Sequence, residues 1–324
     1  MDILKKTSFT NRIIWIILVF GFWYILVGSV LTARFDKLVI DANTQSDALV
    51  FVLEMYTGTI MTIIAFALLC LFRKNRDIGK MMLPNRKTHS WSLLVAGLLL
   101  GFLTNFFCIL CAMIHGDIKL TYDFSSSGIP LMLFALLSVF FQSSSEEIWC
   151  RGFMYERINV HYPLWVAVVV NGVLFGLLHS FNPGVSVMAI VGICITGLSY
   201  SLLRWYSGSI WTCMGIHTMW NFTQNFLFGL PNSGLVSEVS VFHLDGAAGV
   251  SNLFYDFEFG VEAALPAIFI DGLLGIIILL LAKKNGRLGE LLATKEKTAE
   301  LTGVVPAEVR YPEKKDKEEL YIEV

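Results

Sequence analysis

Residues 129–155 read IPLMLFALLSVFFQSSSEEIWCRGFMY, an apolar run long enough to cross a lipid bilayer that carries two glutamates and an arginine towards its end. Apolar blocks of similar length recur along the chain, and only 15% of its 324 residues are charged. A soluble protein is nearer a quarter charged. The composition therefore excludes an ordinary soluble domain and predicts an all-α, polytopic bundle of membrane-spanning helices.

The apolar blocks predict eight transmembrane spans: residues 13–33, 49–72, 91–115, 129–155, 164–181, 185–204, 209–229 and 264–284. The loop 73–90 is rich in Lys and Arg, whereas the segment 230–263 contains acids and neither Lys nor Arg. The positive-inside rule then predicts that both termini and the basic loop are cytoplasmic and that the acidic segment lies outside.

These features divide the chain into three predicted regions. Residues 1–90 hold two transmembrane helices and the basic loop, residues 91–284 form the core with the acidic segment 230–263, and residues 285–324 form a charged cytoplasmic tail. Two pairs of glycines at small-xxx-small spacing predict close helix packing in the core: Gly97 with Gly101, and Gly172 with Gly176. The formal net charge of −2 indicates no nucleic-acid partner.

The two glutamates of the fourth span differ in their expected surroundings. Glu147 and Arg151 are four residues apart, on one face of a helix, where they can form an ion pair. Glu146 is rotated from Glu147 by about 100° and points elsewhere. This spacing predicts a structural acid beside an acid that is free for proton transfer, although charges at a helix end near the membrane surface would show the same pattern.

Two other spans carry polar residues at helical spacing. Asn171, Phe175 and His179 share one face of the fifth span, and His217 and Asn221 share one face of the seventh. Each set alone is equally typical of polar contacts between helices. With Glu146, however, they supply a base, a partner for it and two hydrogen-bond donors, which is enough for attack of water on an amide carbonyl.

Three motifs carry a resemblance to a known family. EEIWCR (146–151) fits the pattern E-E-x-x-x-R, FGLLH (175–179) fits F-x-x-x-H, and HTMWN (217–221) fits H-x-x-x-N. In this order, on hydrophobic helices, they resemble the CAAX protease and bacteriocin-processing family of intramembrane glutamic endopeptidases, also called the Abi family. The resemblance covers residues 146–221 through its motifs, and the family's core helices are expected from about residue 91 to 229.

The resemblance implies a peptidase and a role for each motif residue. Glu146 would be the general base that activates water, with His179 assisting, and His217 and Asn221 would bind the oxyanion. Three further residues would orient the first acid, hold the helix and shape the pocket: Glu147, Arg151 and Phe175. The implied partners are the lipid bilayer and a peptide or membrane-associated protein substrate, and the expected location is a bacterial plasma membrane.

Alternatives stay open at this point. No cofactor is expected, but Glu146, His179 and His217 could instead be three zinc ligands with water as the fourth. The polar residues could also be structural in a non-catalytic immunity, scaffold or transport-related membrane protein. The predicted spans leave one geometric question, because they place Glu146 in the cytoplasmic half of its span and His179 near the outer end of the fifth. The two can meet if the fourth helix is long and tilted and extends past Arg151, or if the fifth helix is shifted in depth.

Overall fold

The computed structural model describes residues 12–27, 30–34, 46–72, 75–84, 89–237, 239–245 and 251–294. Within these ranges the protein is an all-α bundle, as predicted. Its α-helices are α1 (Ile13–Phe20), α2 (Asp47–Cys70), α3 (Arg76–Met81), α4 (Ser90–His115), α5 (Ile129–Glu147), α6 (Tyr155–His161), α7 (Leu164–Leu178), α8 (Val187–Ser207), α9 (Ile210–Asn221) and α10 (Leu265–Lys284). The predictions for the first eleven residues and for residues 295–324 of the charged tail lie outside the described residues.

Other short elements complete the part of the chain that the structure describes. Three π-helical segments continue α1, α5 and α9 without a break: Gly21–Val27, Ile148–Met154 and Phe222–Leu227. Strands β1 (Leu120–Tyr122) and β2 (Phe242–Leu244) pair antiparallel, with Thr121 opposite His243. Four 3-10 turns lie at Ser126–Gly128, His179–Phe181, Val261–Ala263 and Leu288–Leu292.

By length and composition, seven helical stretches of the described chain can cross a membrane: Ile13–Arg34, Asp47–Cys70, Ser90–His115, Ser126–His161, Leu164–Phe181, Val187–Ser207 and Leu265–Lys284. The other predicted span, 209–229, is helical as α9 and its π segment. The side chains of His217, Asn221 and Gln224 make this helix more polar than the seven apolar stretches. It is buried along most of its length. The orientation of the termini stays a prediction.

The fourth span is longer than its apolar sequence predicts. Helical structure runs without interruption through Ser126–His161, because a π segment joins α5 to α6. Thirty-six residues correspond to about 54 Å of helix, against about 30 Å of hydrocarbon. Glu146 therefore lies near the middle of this stretch, and the predicted end at 155 was wrong by a further turn and a half of helix.

The glycines of α4 let it approach α9 closely. A Cβ on Gly97 would lie 3.1 Å from the Cα of Gly215, and a Cβ on Gly101 would lie 3.0 Å from the Cα of Ile216. Side chains at these positions would push the two backbones apart. The predicted packing role of Gly97 and Gly101 is confirmed. Because Gly101 lies against the backbone of Ile216, this contact also fixes the position of the next residue along α9, His217.

Helices α8 and α10 are joined by a buried acid. The hydroxyl of Thr196 donates to Oδ2 of Asp271 at 2.5 Å, and the hydroxyl of Ser199 donates to the Asp271 carbonyl at 2.6 Å. The Asp271 side chain is fully buried. These bonds fix α10 against α8, the helix that follows the His179 turn in sequence.

Candidate active site

An ion pair anchors the end of α5. Nη1 of Arg151 lies 2.9 Å from Oε1 of Glu147, and both side chains are completely buried. The guanidinium carbon of Arg151 lies 4.1 Å from the centre of the Phe175 ring, and its Nη2 reaches the Gly197 carbonyl at 3.5 Å. The predicted pairing of Glu147 with Arg151 is confirmed, and the pair connects the helices on either side of it.

His217 binds the same carboxylate oxygen. Its Nδ1 lies 2.9 Å from Oε1 of Glu147, in a contact that is also buried. An ionised carboxylate only accepts hydrogen bonds, so this contact places a proton on Nδ1. Nε2 is then the nitrogen that His217 presents to the cavity described below, a ring orientation that the sequence did not predict.

Glu146 points away from this pair and into the cavity. Its Oε2 lies 3.9 Å from Nε2 of His217, and its Oε1 accepts a hydrogen bond from the side chain of Gln142. The distance of 3.9 Å is too long for a direct hydrogen bond but within reach of one shared water molecule. The predicted difference between the two neighbouring acids is therefore present: one is enclosed, and the other is accessible.

His179 reaches the same cavity from the end of α7. It begins the 3-10 turn His179–Phe181, and its Nδ1 donates to the Phe175 carbonyl at 2.8 Å. The Phe175 ring lies between two imidazoles, with its centre 5.0 Å from that of His179 and 6.0 Å from that of His217. The structure thus brings Glu146 and His179 to one cavity, although the predicted spans placed them at different levels.

Asn221 reaches the same cavity from the last turn of α9. Its Nδ2 lies 3.2 Å from Oε1 of Gln142 and 3.5 Å from the hydroxyl oxygen of Ser143. Its Oδ1 accepts from Nδ2 of Asn232 at 3.3 Å. The donor end of the Asn221 amide is thus turned towards α5, on the side of Glu146.

These side chains share one cavity of about 1160 Å³, which Glu146, Phe175, His179, His217 and Asn221 all line. Apolar side chains from several helices form another part of its wall, including Phe51 from α2 and Leu174 and Leu177 from α7. The volume lies slightly above the usual range for small-molecule sites and is large enough for part of a peptide chain.

Three cavity residues were not predicted from the sequence. Gln142 bonds both Glu146 and Asn221, and its spacing of four residues from Glu146 was a usable signal. Asn232 and Glu262 come from the segment 230–263, where no helical periodicity marks them. Burial raises the pKa of Glu262 to about 7, against the opposing effect of hydrogen bonds from Ser233.

The zinc arrangement finds no support in the geometry of these side chains. Across the part of the chain that the structure describes, no group of three His, Cys, Asp or Glu residues is arranged to hold a metal ion. Nδ1 of His217 is already bonded to Glu147, and its Nε2 lies 3.9 Å from Glu146. The cofactor requirement stays a prediction.

Comparison with known proteins shows what the segment that contains this site is similar to. Residues 128–223 match the family described as Type II CAAX prenyl endopeptidase Rce1-like, and this segment contains every residue of the three motifs. The predicted family resemblance is therefore confirmed over this segment, which is similar to the CAAX prenyl endopeptidase family. Together with the seven apolar helices, this makes it an integral membrane protein.

One curated relative is "Uncharacterized protein YyaK" from Bacillus subtilis (strain 168). It is 28% identical over 188 residues, which cover 55% of this chain and 61% of the relative. The chain thus matches about three fifths of the length of this relative. No solved structure matches the chain.

Proposed function

We propose that this protein is an intramembrane endopeptidase in which Glu146 activates a water molecule to hydrolyse a peptide bond. The observation that carries the proposal is the placement of Glu146 Oε2, accessible in the cavity and 3.9 Å from Nε2 of His217. A water held between these atoms would be next to a base and next to hydrogen-bond donors. The family match over residues 128–223 supports the same class of reaction.

The chemistry begins with proton transfer to Glu146. Its carboxylate takes a proton from water while the water oxygen bonds to the carbonyl carbon of the substrate, which converts the carbonyl to a tetrahedral oxyanion. The C–N bond then breaks, and the proton on Glu146 passes to the leaving nitrogen. His179 lines the same cavity, where Nε2 can hold the water in position because Nδ1 is bonded to the Phe175 carbonyl.

Asn221 and His217 are placed to bind the oxyanion. The Asn221 amide presents its two N–H groups on the side of α5, where they contact Gln142 at 3.2 Å and Ser143 at 3.5 Å, and an oxyanion could replace the longer contact. His217 can donate from Nε2 when its ring is protonated on both nitrogens. Donors of this kind contribute roughly 10²–10³-fold to a rate.

The cavity walls suggest where the substrate comes from. Helix α2 and the stretch Ile13–Arg34 contribute apolar lining residues, as does α7, so one side of the cavity suits a chain segment held in or beside the bilayer. We therefore expect a peptide or membrane-associated protein as the substrate. A CAAX-type protein and a bacteriocin-type peptide both fit this description. The Bacillus relative is consistent with a bacterial plasma membrane.

Comparative peptidomics tests the proposal. Cells that carry the wild type, Glu146→Gln or the control Glu258→Gln are compared at equal membrane levels of protein. Gln at 146 keeps an oxygen that accepts from Gln142, so folding should be retained, whereas Glu258 is an exposed glutamate. We expect cleavage products in wild type and Glu258→Gln that Glu146→Gln lacks. Identical peptides in all three, together with normal cellular function of Glu146→Gln and His179→Ala, would indicate a non-catalytic role.

A further inference from the structure

A strap from outside the family match covers part of the cavity. It consists of residues 232–236, which follow α9 and all line the cavity with Glu146. Asn232 and Leu235 exchange both backbone hydrogen bonds, at 2.8 and 2.9 Å, which closes a tight turn. Nδ2 of Asn182 donates to the Ser233 carbonyl at 3.0 Å. The 232–236 strap is therefore fixed to the loop that follows His179.

Glu262 is the main anchor of the strap. It lies in the 3-10 turn before α10, and its Oε1 accepts from the backbone N–H of Ser233 and from the Ser233 hydroxyl, the latter at 3.2 Å. The same oxygen accepts from Nδ2 of Asn232 at 3.3 Å and is 3.5 Å from Nε2 of Gln224. A carboxylate has no N–H to donate, so it dictates which end of each neighbouring amide faces it.

A continuous row of amides joins Glu262 to Glu146. Nδ2 of Asn232 donates to Glu262 and to Oδ1 of Asn221. Nδ2 of Asn221 donates to Oε1 of Gln142, and Nε2 of Gln142 donates to Glu146. Both ends of the row are acceptors. Asn232 presents its nitrogen to both neighbours, whereas Asn221 and Gln142 each present their oxygen on the side of Glu262 and their nitrogen on the side of Glu146. Reversing Asn221 alone would bring nitrogen against nitrogen at Asn232 and oxygen against oxygen at Gln142.

We propose that Glu262, acting through Asn232, is a positioning residue that keeps the donor end of Asn221 turned towards the reaction centre. The inference rests on the proposed function and deepens it by adding a residue from outside the matched segment 128–223. Without Glu262, the Asn232 amide can turn over, and Asn221 then loses the donor that fixes its oxygen. An Asn221 that presents its oxygen to the cavity would repel an oxyanion.

Steady-state kinetics on a peptide that the wild type cleaves tests this role. Glu262→Ala and Asn232→Ala should each lower kcat about tenfold or more with little change in KM, because Asn221 acts on the transition state. Glu262→Gln should restore most of kcat, since its amide oxygen accepts the same bonds. Glu258→Ala, which removes an exposed glutamate four residues earlier, should match the wild type.

The double variant Asn221→Ala/Glu262→Ala separates positioning from general damage. If Glu262 acts through Asn221, the double variant should have the kcat of Asn221→Ala alone. If the fold losses in kcat of Asn221→Ala and Glu262→Ala instead multiply in the double variant, Glu262 acts independently of Asn221 and the proposal is overturned. Failure of Glu262→Gln to restore kcat would also overturn it.

Hydrogen–deuterium exchange distinguishes this inference from the proposed function, because it needs no catalytic activity. The Ser233 amide should exchange faster in Glu262→Ala than in the wild type and should be protected again in Glu262→Gln. Faster exchange in a protein that cleaves nothing would support the anchoring of the strap while refuting the peptidase. Unchanged exchange in Glu262→Ala would overturn the positioning role whatever the activity.

Discussion

Nδ1 of His217 lies 2.9 Å from Oε1 of Glu147, the same oxygen that binds Nη1 of Arg151 at 2.9 Å. Two helices thus meet at one buried carboxylate, and the imidazole turns its other nitrogen to Glu146. The geometry distinguishes the two adjacent glutamates: Glu147 orients the histidine, and Glu146 faces the cavity.

The buried pair predicts a large stability effect. Removing one partner of such a pair leaves an uncompensated buried charge, which costs about 3–5 kcal/mol. Glu147→Gln should therefore lower the free energy of unfolding in mixed micelles by about this amount, whereas the double variant Glu147→Leu/Arg151→Met should lose less than the sum of its single changes. Exposed Glu258→Gln should remain within about 0.5 kcal/mol of the wild type. Additive losses in the double variant would contradict the pairing.

The contact between α4 and α9 predicts that a single methyl group is harmful. Gly101→Ala would place its Cβ 3.0 Å from the Cα of Ile216, so the helices must separate at the residue before His217. We expect a loss of about 1–3 kcal/mol in unfolding free energy together with reduced cleavage. Gly21→Ala is the control, because its added Cβ has no neighbour within 4 Å. Equal stability of the two variants would refute the close contact.

The sequence predicted what depends on local spacing. The apolar blocks predicted the helices, and the four-residue intervals correctly paired Glu147 with Arg151. The intervals could not show that His217 shares this carboxylate, because that contact joins residues 70 positions apart. The end of the fourth span was missed because Glu156, Arg157 and Asn159 look like the start of a polar loop, although α6 continues the helix to His161.

Glu262 and Asn232 were missed for a different reason. They belong to a segment of turns in which neither a period of 3.6 nor a period of 2 marks the inward side chains. An acid just before an apolar helix is also typical of a membrane surface. Only the three-dimensional placement of the strap shows that Glu262 faces the cavity.

Glu262 predicts a pH-dependent contribution to stability. Burial raises its pKa from 4.5 to about 7, with His217 opposing the rise and Asp271 adding to it. The folded protein therefore binds this proton more tightly than the unfolded chain. The resulting stabilisation is complete below about pH 4.5 and is lost as the pH rises through about 7. Between these values, the wild-type Tm should fall more steeply than that of Glu262→Gln.

The control for this titration is Glu258→Gln, which should keep the wild-type slope of Tm against pH because the residue is exposed. Parallel curves for the wild type and Glu262→Gln would show that Glu262 titrates at its ordinary value in the folded protein.

Metal chelation tests the remaining mechanistic alternative. Because the described residues offer no set of three metal ligands, cleavage by the purified protein should be unchanged after exhaustive treatment with EDTA or 1,10-phenanthroline. Activity that disappears with the chelator and returns with added Zn²⁺ would instead support the arrangement in which Glu146, His179 and His217 bind zinc.

The most direct test of the account is the cleavage rate of purified Glu146→Gln in lipid nanodiscs, measured beside the wild type on the same peptide at matched folding. A general base contributes about 10²–10⁴-fold to a rate, so the variant should be slower by at least about a hundredfold while its Tm stays close to that of the wild type. A Glu146→Gln protein that cleaves at the wild-type rate would contradict activation of water by Glu146.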